Sequence, residues 1–389
     1  MIALSLDVDS DAVASILSEK AAQLNQEAVD NGLVRENGAF KIIKGEQGIE
    51  VNVEDSIAAI ENYISSEWDG GNAEIELVAE VVEPRGSEED LEQITDMMGS
   101  YTTNYKDSGQ NRCDNISNAT SKINGTLLYP GEEFSVYEAI GPLDAANGYE
   151  LAGAYENGQT VESYGGGVCQ VSTTLYNAVI LAELEITQRS NHSMIVSYVK
   201  PSMDAAIAGD YKDLRFVNNQ DIPIYIEGYT EGKNVTFKIY GHDTRPSNRV
   251  VTYESEVVSE QDPGTQYVAT GDPAGYMKTA QGKHIGYVAR LWKVVTVDGV
   301  EESREIFNKS TYKASPKIVN VGTASADPNV SAVIGAALAT GDEATINAAV
   351  APYAASAAAI LNPAPVEQPS QEEQAITGTV DESQITGGE

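Results

Sequence analysis

Residues 164–184 read YGGGVCQVSTTLYNAVILAEL, three consecutive glycines followed by an apolar run. Val171, Leu175, Ala178 and Ala182 recur at the 3.6 period, which predicts an amphipathic helix from about Gln170 to Leu184. Cys169 then lies in or just before the first turn. The N–H groups there lack intrahelical partners and the dipole favours an anion, so a thiol at this position gives up its proton more readily. Gly165, Gly166 and Gly167 let the backbone approach a ligand closely, and the amides of Gly166, Gly167 and Val168 are candidates to hold an oxyanion. The competing reading is an inert cysteine at a tight turn. A phosphate cradle does not fit, because the Walker lysine is missing and the order of elements is wrong.

His192 gives Cys169 a candidate partner. A helix of about 15 residues rises roughly 22 Å from the glycine loop. About seven extended residues, Ile186 to His192, climb back roughly 23 Å at strand rise. An antiparallel return would bring the imidazole to the level of the sulfur, as a Cys–His nucleophile requires. A solvent-exposed histidine in the turn RSNHS is the alternative. Asp204 and Asp213 both lie downstream, and either can orient the ring. A zinc site would need carboxylates beside these two ligands, so neither a metal nor a cofactor is expected. Cys113, in the polar stretch NRCDN, reads as a small helical side chain, and a Cys113–Cys169 disulfide stays open. Arg112, beside Asn111 and Asn115, suits a substrate carboxylate or a turn cap. His242 and His284 read as strand-end surface residues.

Further out, composition bounds the class. The 389 residues imply two or three domains. Asp and Glu total 59 against 24 Lys and Arg, a formal net charge of -35, which argues against nucleic acid and anionic lipid as partners. Two cysteines exclude a disulfide scaffold. No apolar run of about 20 residues suggests a membrane span. The start, MIALSLDVDSDAV, lacks the features of a signal peptide, so either the protein is cytosolic or an export segment was cut away.

Periodicity and turn residues predict a multidomain α+β chain. Residues 1–92 read as a small α+β domain: a strand at 2–8, a helix at 11–28 with Ala12, Ile16, Ala21 and Leu24 on one face, strands FKIIK and IEVNV, a helix at 55–64, and the strand IELVAEVVEP. Residues 93–245 form a mixed α/β domain with a helix at 111–123, a strand–turn–strand in LLYPGEEFSV, and strands at 194–199, 213–217, 222–229 and 234–240. Residues 246–323 read as an all-β module. The remaining 324–389 are Ala-rich, with a helix or two broken near Gly341 and Pro352, and then a disordered acidic tail.

The stretch from about Tyr101 to His242 closely resembles the VanW family. The matching residues are TTNY at 102–105, NRCDNI at 111–116, LYPGEEFSV at 128–136, YGGGVCQVSTTLYNAVILAELEI at 164–186, NHS at 191–193, SYVKPSMDAAIA at 197–208 and DLRFVNNQDIPIYI at 213–226. Residues 1–90 resemble the peptidoglycan-binding domain that often precedes VanW, and 248–322 are similar to a G-five (G5) domain. The resemblance implies an extracellular protein of a Gram-positive bacterium, held at the wall or membrane by an N-terminal segment outside this chain. It implies peptidoglycan stem peptides and glycan as partners and a link to glycopeptide resistance. Some VanW-domain proteins are assigned L,D-transpeptidase activity, which joins the third residues of two stems. On that reading Cys169 is the nucleophile, His192 its base and Asp204 the orienting carboxylate, while Arg112, Tyr198 and Gln170 contact substrate. A non-catalytic wall-binding or adhesion protein, with the glycine block as a structural turn, is the alternative. A hydrolase using water as acceptor would use the same site.

Overall fold

The computed structural model describes residues 8–156, 159–209 and 211–361. It contains two compact units: one runs up to Asp262 and resumes over Ile285–Ser315, and the other comprises Pro263–His284 and the chain from Pro316 onward.

The first unit begins with helix α1 (Ser10–Leu24), capped by Asp9, whose carboxylate accepts the Ala12 amide at 3.1 Å. The strand expected at 2–8 lies almost wholly outside the described residues. Hairpin β1 (Gly32–Glu36) and β2 (Ala39–Ile43) follows, then β3 (Gly48–Val51), α2 (Val53–Ser66) and β4 (Ala79–Val82), with β4 antiparallel to β3. Helix α1 packs on α2 and β3 through Leu17 and Ala21, while Ile16 and Leu24 are exposed, so its inner face is rotated from the one expected. Short helix α3 (Glu88–Glu92) leads out. Leu33, Leu91 and Ile94 pack with Tyr225 and Tyr240 of the central sheet, and Arg35 reaches Glu227 at 2.9 Å.

The central part runs β5 (Asp96–Asn104), α4 (Gln110–Ile123), β6 (Thr126–Leu128), β7 (Glu133–Ser135), α5 (Val136–Ile140), β8 (Leu151–Glu156), β9 (Gln159–Tyr164), α6 (Val168–Leu181), β10 (Glu185–Gln188), β11 (Arg215–Val217), β12 (Ile224–Glu231) and β13 (Asn234–Gly241). Strands β5, β13, β12 and β6 form an antiparallel sheet in that order, against which α4 and α6 pack. Gly232 and Lys233, both at positive φ, form the two-residue turn between β12 and β13. The LLYPGEEFSV segment is the expected strand–turn–strand, but its two strands do not pair with each other. Its first strand, β6, pairs with β12 and its second, β7, with β11, so the Pro130-Gly131 turn passes the chain between two sheets. Residues 194–199 are not a strand; they belong to an irregular segment.

Segment 246–323 divides between the units. Strands β14 (Arg249–Gln261), β17 (Gly286–Val297) and β18 (Val300–Tyr312) make an antiparallel sheet within the first unit. In the second unit, β15 (Thr265–Pro273) runs parallel and β16 (Met277–Gln281) antiparallel to β19 (Lys317–Ala324). The Ala-rich stretch forms α7 (Pro328–Thr340), α8 (Glu343–Val350) and α9 (Ala354–Leu361), broken at Gly341 and at a 3-10 turn holding Pro352. Ile334, Ala337, Ile346 and Val350 pack with Val319 and Val321 of β19. The 19 residues Glu343–Leu361 are long and apolar enough for a membrane span, contrary to the sequence reading. Two of them, Ile346 and Val350, are spent on this core.

Candidate active site

Helix α6 begins at Val168, two residues earlier than its apolar period suggests, so Cys169 is its second residue. Its N-cap, Gly167, sits at φ 115° and offers no side-chain cap. A side chain at Gly166 would place its Cβ 2.7 Å from the Ala152 carbonyl, so this glycine makes room for the protein's own β8–β9 hairpin rather than for a ligand. The loop amides correct the expected oxyanion set. Gly166 N–H donates to Ser163 O at 3.4 Å and Val168 N–H to Gly165 O at 3.0 Å. Those two donors are used within the turn. The N–H groups of Gly167 and Cys169 carry no hydrogen bond among the described residues.

The helix is buried along nearly its whole length despite its polar middle. Ser172 Oγ donates to Ala205 O at 2.7 Å, the Ala205 amide donates to Thr173 Oγ1 at 3.0 Å, and Asn177 Nδ2 donates to Met203 O at 2.8 Å. These bonds dock the irregular segment 203–207 along α6. The dock sets Ile207 against the thiol, with its amide 3.4 Å from Cys169 Sγ, and it brings in Asp204.

His192 is buried and lies near enough to Cys169 for each to shift the other's proton affinity. Its Nδ1 lies 2.6 Å from Asp204 Oδ2, which also accepts the His192 backbone amide at 2.7 Å. Asp204 Oδ1 accepts from Arg189 at 3.1 Å and from the Tyr312 hydroxyl. Burial works to raise the Cys169 thiol, but the nearby positive charge of His192, with the Ile207 amide, outweighs it and brings the thiol below its ordinary range. Burial works to lower His192, yet the bond to Asp204 and the neighbouring Cys169 raise it to about 9. Asp204 is lowered by His192 and Arg189 against its own burial. The balance favours a thiolate–imidazolium pair backed by a carboxylate.

Around this relay, Arg112 donates to Ser108 Oγ at 2.6 Å and to Gln170 Oε1 at 2.9 Å. It has no carboxylate within ion-pair distance among the described residues. Gln170, read as a substrate contact, is instead buried and donates to Thr103 Oγ1 and Asn104 O, both at 3.0 Å. It fixes Arg112. The Tyr198 ring stands edge-on to His192, with centroids 6.5 Å apart. Burial and the neighbouring Cys169 push its phenol well above the usual range. Asp213 belongs elsewhere: it binds Ser135 Oγ, the Tyr137 amide and Arg215, under β7 and β11. Both cysteines are free thiols, so the disulfide is absent. His242 lies 3.9 Å from Asp96, remote from Cys169 in the fold, and His284 belongs to the other unit.

Comparison with known proteins identifies the lineage. Over 237 residues the chain is 30% identical to uncharacterized protein YoaR of Bacillus subtilis, a match covering 61% of this chain and 76% of that protein. A family model described as "VanW like protein" matches residues 111–240. The chain belongs to the VanW family. Over 118 residues it is also 30% identical to vancomycin B-type resistance protein VanW of Enterococcus faecalis, covering 29% of this chain and 42% of that one. Models for "Putative peptidoglycan binding domain" and "G5 domain" match residues 1–69 and 252–324, so the three modules occur in that order. Among solved structures, the IgA1 protease G5 domain matches at 28% identity over 20% of this chain and 94% of its own, TM-score 0.15, and HP0197-G5 at 14% over 20% and 100%, TM-score 0.13.

Sequence reasoning missed the residues of this VanW site that hold Asp204 from behind. Arg189, Ser310 and Tyr312 all bear on Asp204 or its segment. The Ser-Thr-Thr run carried a readable signal, since hydroxyls inside a buried helix must find acceptors, and here they find Ala205. Tyr312 carried none; its role depends on tertiary placement 108 residues from Asp204.

Proposed function

We propose that this VanW-family protein is a cell-surface cysteine acyltransferase on peptidoglycan stems, an L,D-transpeptidase. The observation that carries the reading is the Cys169–His192–Asp204 relay at an uncapped helix start. The Cys169 thiolate attacks the carbonyl carbon of the stem's third residue. The Gly167 and Cys169 amides, without a hydrogen bond among the described residues, suit the oxyanion. The C–N bond to the terminal D-alanine breaks as His192 gives its proton to the leaving amine, leaving a thioester on Cys169. The side-chain amine of a second stem's third residue then attacks, its proton passes to His192, and the thiolate departs. Arg112, a partly buried cation without a carboxylate partner among the described residues, is suited to the donor stem's carboxylate. The N-terminal module's peptidoglycan-binding match supports the substrate class and an extracellular location, and the vancomycin-resistance relative fits both.

Incubation with disaccharide-tetrapeptide and chromatography of the products tests the reading. Cross-linked dimer with released D-alanine, absent for Cys169→Ala, is expected. D-Alanine without dimer would make the protein a carboxypeptidase, and binding without turnover a wall-binding protein.

A further inference from the structure

We infer that strand β18, from the C-terminal β module, is a working part of the Cys169 site, with Tyr312 the positioning residue that holds Asp204 in line behind His192. The inference rests on reading Cys169, His192 and Asp204 as the nucleophile system.

Asn308, Ser310 and Tyr312 alternate along β18 and so share one face of the strand. That face lies along the segment that carries both His192 and Asp204. Asn308 Nδ2 donates to Ser202 O at 3.2 Å and to the Tyr176 hydroxyl at 2.7 Å. Ser310 Oγ accepts from Arg189 at 3.0 Å. Tyr312 donates to Asp204 Oδ1, and its oxygen accepts the Ser202 amide at 2.7 Å. The strand backbone joins in: the Lys313 amide donates to Ser193 O at 2.7 Å and Thr311 O accepts from Asn191 at 2.9 Å. Residues 189–204 contain no helix or strand, so their conformation is set by such outside partners.

The two carboxylate oxygens of Asp204 have separate duties. Oδ2 receives the His192 ring and amide; Oδ1 receives Arg189 and Tyr312. Donors on Oδ1 fix the plane of the carboxylate and therefore the direction in which Oδ2 meets the imidazole. Burial and the Asp204 charge keep the Tyr312 phenol protonated, so it remains a donor across the working pH range. Docking of the β14–β17–β18 sheet does not depend on this hydroxyl. Glu183 already binds Arg249 and Lys293, and Tyr253 donates to Ile180 O at 2.9 Å. The ionisable groups that bear on the relay are Arg189, Tyr198, Tyr176 and Tyr312, and Arg112 acts on Tyr198.

The test uses the full chain and needs no transpeptidase substrate. Alkylation of Cys169 by iodoacetamide is followed by peptide mass spectrometry across pH for wild type, Tyr312→Phe, Ser310→Ala and Asp204→Asn. Loss of the positioning bond loosens Asp204, weakens the imidazolium and raises the thiol. We expect the apparent Cys169 pKa to rise by about 0.5 in Tyr312→Phe, read as a displacement of the whole alkylation profile to higher pH by about that amount. Ser310→Ala should move it the same way by less, and Asp204→Asn by more. A wild-type profile in Tyr312→Phe beside a shifted Asp204→Asn overturns the role of Tyr312, as does a downward shift, which would mean that the phenol merely tempers the carboxylate. Should Tyr312→Phe fail to fold, an unchanged Ser310→Ala profile overturns the inference. An unchanged Asp204→Asn profile overturns the reading of the relay itself, and this inference with it.

Discussion

At Cys169 two opposed effects meet, and the neighbour wins over the burial. A thiol enclosed among apolar groups would stay protonated; the imidazolium of His192 reverses this. The sign of the pH dependence follows. His192 holds its proton below about 9, and the thiolate persists above a folded value that lies under the ordinary thiol range, so the ion pair fills the window between them. Acyl transfer should therefore fall as pH rises through about 9, where the leaving amine loses its proton donor. Within the window Cys169 should outpace Cys113, whose sulfur contacts Ser108 O at 3.7 Å, in reaction with iodoacetamide at pH 7. His192→Ala should slow Cys169 by about ten-fold or more, because one pKa unit is a factor of ten in thiolate. Equal labelling of the two cysteines in the wild type would contradict this account.

Helix α6 shows how one element can serve both packing and positioning. Its apolar residues fill the core of the central domain, and its hydroxyls hold the segment that presents Asp204 and Ile207 to the sulfur. Thr173→Val keeps the shape but leaves the buried Ala205 amide without its acceptor, which should cost about 1–3 kcal/mol by urea denaturation and slow Cys169 alkylation. Unchanged stability would show that the bond is dispensable. The helix was legible from its period, which depends on local geometry, whereas only Glu185–Gln188 of the return toward His192 are strand and the rest is set by outside partners. The strand expected at 194–199 was not formed, since the residues around it satisfy their backbone groups on β18 side chains and backbone instead of a ladder. Asp204 could not be told from Asp213 by spacing. What separates them is that Arg189 and Tyr312 converge on one and Ser135 and Arg215 on the other.

Over the whole chain, an excess of 35 negative charges makes each local cation cluster consequential. Glu183 is such a centre: Arg249, Lys293 and Arg245 surround it and hold its carboxyl at about 2 against its burial. A carboxyl depressed in the folded state contributes stability at pH above its unfolded value near 4.5, and that contribution disappears as pH falls through to about 2. Glu183→Gln should therefore lower stability on the order of 2 kcal/mol at pH 7 and very little at pH 2, measured by denaturant unfolding at both values. A loss equal at both pH values would assign the effect to packing. The order of modules was readable from family resemblance and turn residues. The division of the C-terminal β segment between two compact units was not, because it depends on which strands pair over long separations: β14 with β17 across the β15–β16 excursion, and β15 with β19.

The most direct test of Cys169 as an acyl-accepting nucleophile is the intact mass of the protein after brief incubation with purified disaccharide-tetrapeptide and acid quench. Wild type should gain the mass of the donor stem less its terminal D-alanine, and Cys169→Ala should gain nothing. No adduct on wild type, with the donor unconsumed after prolonged incubation, would contradict the account.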